Sequence, residues 1–181
     1  IWFDDISLSY LNQHIAFNGM IGGFDEWLSN ESNRLEVTAG LWSDMIDVDL
    51  MRKNLTVNNS SDSKRPVNLK LNLSLRADSL LVKDFHASLF DGNISYVPGL
   101  LDISSFSMNT LEGSISGNAA VADLSNEGYA MRGWFDIDAI DIRNTFIVFN
   151  NFRQDYIKAD NLGGELTGKI SISLTADRDF K

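Results

Sequence analysis

The sequence predicts a mainly β protein: a long, curved and twisted, mostly antiparallel sheet with an open apolar face and two short helices. Three observations carry this. Apolar and polar residues alternate with a period of two over long rows, the pattern of a strand with one sheltered face. Glycine, proline and asparagine punctuate those rows at turn-like spacing. The rows lack the continuous apolar runs of parallel sheets buried on both sides.

The clearest row is Val67 to Arg76, where Val67, Leu69, Leu71, Leu73 and Leu75 alternate with Asn68, Lys70, Asn72, Ser74 and Arg76. A second sets Leu111, Gly113, Ile115, Gly117, Ala119 and Val121 against Glu112, Ser114, Ser116 and Asn118. A third sets Leu166, Gly168, Ile170, Ile172 and Leu174 against Glu165, Thr167, Lys169, Ser171 and Ser173. Weaker strands read at Trp2–Tyr10, Gln13–Met20, Arg34–Leu41, Ser79–Leu89, Gly92–Tyr96, Asp102–Asn109 and Tyr129–Ile137. Asp91-Gly92, Pro98-Gly99 and Asn126-Glu127-Gly128 read as turns.

Two segments read as helices. Asp47 to Asn54 has acids at its start and bases at its end, which complements the helix dipole. Asp138 to Phe152 carries Ile142, Phe146 and Phe149 at helical spacing, with Asp138 or Asp141 as the cap. Both are expected to lie on the apolar face or to plug its end. Thr56 to Pro66 is polar and low in complexity, and is expected to be a mobile linker. It separates the N-terminal strands and helix, residues 1–55, from a β module over 67–181.

Composition excludes several functions. The 181 residues contain no cysteine, which removes disulfides, thiolate metal sites and cysteine catalysis. The net charge is −10, and Asp84 to Met131 holds six acids and no Lys or Arg. A nucleic-acid partner needs the opposite, a basic stripe. No stretch approaches the run of about 20 apolar residues that spans a bilayer. The chain reads as part of a longer protein, with any membrane anchor outside it.

Candidate chemical motifs do not complete themselves. Gly163 to Lys169 has phosphate-loop spacing, but Ile170 stands where Ser or Thr would hold magnesium, and an alternating strand follows. His14 and His86 are the only histidines; neither sits in a His-Glu-x-x-His pattern or near a Gly-x-Ser-x-Gly elbow. The acids Asp4, Asp5, Asp136, Asp138 and Asp141 read as helix caps and solvated strand faces rather than calcium ligands. Gly113, Gly117 and Gly168 read first as bulges or bends, and second as places where cargo or another backbone comes close. No catalytic residue, metal or cofactor is expected.

Taken together, Val67–Arg76 with Ala77-Asp78-Ser79-Leu80, then Asn109-Thr110-Leu111-Glu112-Gly113-Ser114-Ile115-Ser116-Gly117, then Asp160-Asn161-Leu162-Gly163-Gly164-Glu165-Leu166-Thr167-Gly168, resemble the C-terminal region of the AsmA family. Upstream, Ser43 to Leu50 is similar to the strand-to-helix segment that precedes that family's linker. A Gly-Gly pair is common in the second motif, and here Glu112 precedes Gly113. The resemblance implies a non-enzymatic protein anchored in the inner membrane of a diderm bacterium, with its body in the periplasm. It implies a role in outer-membrane assembly and in phospholipid movement between membranes along an apolar β-groove. The expected partners are phospholipid or other acyl chains and envelope proteins; the alternative is a scaffold that binds outer-membrane proteins by strand addition. The groove candidates are Leu69, Leu71, Leu73, Leu111, Ile115, Ala119, Val121, Leu166, Ile170 and Ile172. The rows are expected to share one sheltered face, with Leu69, Leu71, Leu73, Ile115, Ala119, Ile170 and Ile172 at low exposure and Lys70, Asn72, Ser114 and Lys169 facing water.

Overall fold

A computed structural model describes residues 1–10, 13–55 and 68–177. One sheet holds nine strands in sequential order: β1 Trp2–Tyr10, β2 Gln13–Gly22, β3 Arg34–Asp47, β4 Asn68–Val82, β5 Phe85–Val97, β6 Leu100–Thr110, β7 Gly113–Asp123, β8 Tyr129–Asp141 and β9 Glu165–Ala176. The sheet is open, with β1 and β9 as its edges. Every neighbouring pair is antiparallel except β3 and β4. The expected linker, Thr56–Pro66, and the first residue of the expected β module, Val67, lie outside the described residues.

Three short helices accompany the sheet: α1 Phe24–Leu28, α2 Val48–Leu55 and α3 Ile142–Val148. The second occupies the first segment whose sequence reads as helical; the third takes only the middle of the expected Asp138–Phe152 segment, because Asp138–Asp141 continue β8 and Asp141, not Asp138, is the cap; α1 is an addition to that reading. Asp47 Oδ1 accepts the Leu50 N–H at 2.8 Å at the start of α2, and Asp141 caps α3 by accepting from Asn144, each satisfying a backbone donor that a first helical turn leaves unpaired. Asp49 Oδ2 accepts the Lys83 N–H at 2.6 Å, which ties α2 to the β4–β5 turn. The strand registers place α2, α3 and the β4–β5, β6–β7 and β8–β9 connections at one end of the sheet.

Three expected boundaries are corrected. The stretch read as a strand from Ser79 to Leu89 is a hairpin, because Val82 pairs with Phe85 across Lys83-Asp84. The expected turn at Asp91-Gly92 lies inside β5, where Asp91 faces Arg76 across the ladder. The row beginning at Leu111 also starts later: Leu111 and Glu112 form the β6–β7 turn, with φ of 51° and 69°. Two successive positive φ values match the twist of a tight hairpin, yet neither residue is glycine or asparagine.

Glu112→Gly should therefore stabilise the protein by about 0.5–1 kcal/mol. A left-handed non-glycine residue costs about 1–2 kcal/mol, and the extra chain entropy of glycine takes back about 0.5–1. The urea midpoint should rise at an unchanged slope.

Irregularities in the ladders bend the strands and re-aim side chains. In β8 the register shifts between Ile137 and Ile140, around Ala139 at φ 51°. Strict alternation would send Ile137 and Ile140 to opposite faces. The bulge instead delivers both to one cluster with Leu111, against which Phe85, Ile115, Phe135 and Val148 pack. This cluster at the helical end is the buried apolar core among the described residues, with Ala77, Ala87 and Ala159 buried elsewhere.

Candidate functional site

Residues paired across a ladder point to the same face, so the registers define each face row by row. One row runs Ile6, Phe17, Leu41, Leu75, Gly92, Phe106, Gly117, Phe135, Ile170 from β1 to β9. The next runs Phe3, Gly19, Ala39, Leu73, Ile94, Ile103, Ala119, Gly133, Ile172. A third runs from Ile21 through Val37, Leu71, Tyr96, Leu101, Val121 and Met131 to Leu174. None of the three contains a charged side chain.

The opposite face is built the other way. Its central row is Ser7, Ala16, Trp42, Arg76, Asp91, Ser107, Ser116, Asp136, Lys169. Three ion pairs join directly opposed residues there: Lys70–Glu36 at 2.6 Å, Arg76–Asp91 at 2.7 Å and Lys169–Asp136 at 2.7 Å. All are exposed, so each contributes little stability. The hydrogen bond and charge of Asp136 raise the Lys169 pKa. That contribution is present at neutral pH and is lost only as pH rises through the raised lysine value.

Aromatic rings and glycines shape the floor of the apolar face. Gly117 stands between Phe106 and Phe135 in its row, and with no side chain between them those rings approach to 6.1 Å. Phe90 stacks on Phe106 at 6.4 Å and lies against Gly92, as Phe135 lies against Gly133. Gly113 and Gly117 sit where the β8 backbone comes too close for a side chain, rather than at bulges of the β7–β8 ladder. A Cβ on Gly117 would lie 2.1 Å from the Trp134 carbonyl oxygen, whereas Gly168 faces open space. Gly117→Ala should therefore destabilise by about 2–3 kcal/mol through overpacking against backbone. Gly168→Ala should be neutral within about 0.5 kcal/mol. Thermal unfolding of the two variants separates them.

The structure brings nine of the ten groove candidates onto strands and sets one apart. Leu69, Leu71 and Leu73 lie on β4, Ile115, Ala119 and Val121 on β7, and Leu166, Ile170 and Ile172 on β9. Leu111 does not line the open face; it is buried in the turn at the helical end. The β4 and β7 residues are half-buried. The expectation of shelter fails on β9, where Ile170 is 38% exposed and Ile172 41%, with Leu166 and Leu174 similarly open. Nothing among the described residues covers that strand's apolar side. The row Phe106–Gly117–Phe135 leaves no signal along the sequence, because its floor alternates aromatic rings with glycine across strands rather than along one.

The polar side chains form no catalytic constellation among the described residues. His14 Nδ1 lies 3.1 Å from Ser9 Oγ, and His86 Nε2 lies 3.0 Å from Ser79 Oγ. No carboxylate is hydrogen-bonded to either ring among the described residues, so neither pair has the third group that orients a triad. No group of three metal-ligating side chains occurs among the described residues. The Gly163–Lys169 stretch runs into β9, and Lys169 is engaged by Asp136. His14 and His86 replaced together by Gln should leave function unchanged in complementation of a strain lacking the gene; complete loss with the protein folded and expressed would restore a catalytic reading.

The chain matches no known family model, no curated protein and no solved structure.

Proposed function

We propose that this chain is a non-enzymatic, AsmA-like segment of a diderm cell envelope that shelters lipid acyl chains on the apolar face of its sheet. The observation that carries the reading is the apolar register itself. Two rows cross all nine strands without a charge, and the face remains uncovered at β9. At about 4.8 Å per strand, eight interstrand gaps span about 38 Å, against about 15 Å for the acyl region of one leaflet. The face is thus long enough for more than one acyl chain in line. So large an apolar surface on a soluble domain calls for an occupant, and a hydrocarbon chain needs no hydrogen-bonding partner from it.

In this reading the segment belongs to a periplasmic body held to the inner membrane by an anchor outside it, and serves phospholipid movement toward the outer membrane. Native mass spectrometry of protein purified without detergent tests it. Phospholipid should be found bound, and a lipid-free spectrum from membrane-expressed protein would refute the reading.

The edge strand β9 favours a second reading. Among the described residues it has no neighbouring strand beyond β8, and its open backbone edge suits addition of one from an envelope protein. A proline at an outward-facing β9 position would block such addition and leave lipid binding intact.

A further inference from the structure

We propose that the loop after α3 is a membrane-docking knob, which sets aromatic rings into the interface of an anionic phospholipid bilayer. This surface is distinct from the sheet's apolar face and stands or falls separately from it.

The loop presents apolar groups where a soluble surface would not. Phe152 is 55% exposed and Tyr156 96%, with Ile147, Phe149 and Ile157 about half exposed. The rings are organised: Phe152 stacks on Phe149 at 5.5 Å and meets Phe146 edge-on at 5.1 Å. Phe149 in turn approaches Phe85 of the β4–β5 hairpin at 6.0 Å, so the knob is seated on the end of the sheet.

The backbone is strained to make this display. Asn150, Asn151, Phe152 and Arg153 all have positive φ, between 49° and 57°, a run that L-residues strongly disfavour. It is fastened from within. Asn151 Oδ1 accepts the N–H of buried Ala159, and Gln154 Oε1 accepts the N–H groups of Tyr156 and Ile157. Strain held in place by dedicated hydrogen bonds, yet ending in exposed rings, points to a use outside the fold.

Cations stand beside the rings. Arg153 follows Phe152 and Lys158 lies two residues past Tyr156, matched in number within residues 149–161 by Asp155 and Asp160, with Arg143 on α3. The Arg143–Asp160 and Lys158–Asp155 pairs are long, 3.7 and 3.8 Å, and exposed, so they bind these cations weakly. Aromatic rings flanked by Arg and Lys match the headgroup zone of an anionic membrane, where rings sit at the interface and cations meet phosphate.

Flotation tests this with vesicles of phosphatidylcholine alone and of phosphatidylcholine mixed with phosphatidylglycerol. The protein should float with the mixed vesicles. F152N combined with Y156S should reduce partitioning by about tenfold or more while bound lipid in native mass spectra is unchanged; asparagine also suits the left-handed backbone at 152. R153E combined with K158E should weaken binding to the mixed vesicles only. Ile172→Asp should float as the wild type does. The proposal is overturned if the wild type does not float, if F152N/Y156S floats as well as the wild type, or if Ile172→Asp alone abolishes flotation.

Discussion

Ile140→Ala should lower the unfolding free energy by about 3 kcal/mol, whereas Ile172→Ala should lower it by less than about 1. Both remove the same atoms from an apolar strand position, but their surroundings differ. Ile140 is 4% exposed and packs with Leu111 and Ile137 beneath α3. Its truncation leaves a cavity in the buried apolar cluster of the described residues. Ile172 is 41% exposed and already meets water on one side, so little transfer energy is lost. Urea unfolding of the purified, lipid-free variants measures the difference. Equal losses at the two positions would mean that the face is covered along its whole length, and that the protein is an ordinary packed sheet.

A charge placed on the open part of the face should remove lipid without unfolding the protein. In Ile172→Asp the new carboxylate can stay hydrated at the edge when the face is empty. An acyl chain laid over it would strip that water at a penalty of several kcal/mol, enough to reduce occupancy about a hundredfold or more. Ile115 is the wrong place for this experiment. It lies on the same face but packs against the Leu111–Ile137–Ile140 cluster, so Ile115→Asp should unfold the domain. Loss of lipid from folded Ile172→Asp, beside an unfolded Ile115→Asp, is the expected pair of results. Full lipid occupancy in Ile172→Asp would move the cargo off this face and leave strand addition at β9 as the better reading.

Alternation made the sheet legible because side chains at one-sided positions must differ chemically, and Leu69–Arg76 on β4, Gly113–Ala119 on β7 and Leu166–Leu174 on β9 show that difference. The α2 and α3 helices were legible through end charges and a capping Asp141. What escaped has physical causes. Leu80-Leu81-Val82 runs into a turn made of Lys83-Asp84, which lacks glycine, so the β4–β5 hairpin left no punctuation. Gly92 looked like a turn but is a floor position covered by the Phe90 ring. The bulges at Leu89 and Ala139 put non-glycine residues at positive φ, a choice made by the ladder rather than by local preference. Alternation also says that a face is apolar without saying what lies over it. Shelter was therefore expected for Ile170 and Ile172, and openness was found.

In the proposed reading one face of the sheet holds acyl chains and the other does not. Adjacent positions on β9 test it, because Ile172 belongs to the apolar row and Ser171 pairs with Trp134 on the polar side. A photo-crosslinking amino acid at each, irradiated in cells and analysed by mass spectrometry, reads the contact directly. Phospholipid adducts through the acyl chain are expected at position 172 and none at 171. Adducts at both positions alike, or at 171 alone, would contradict it.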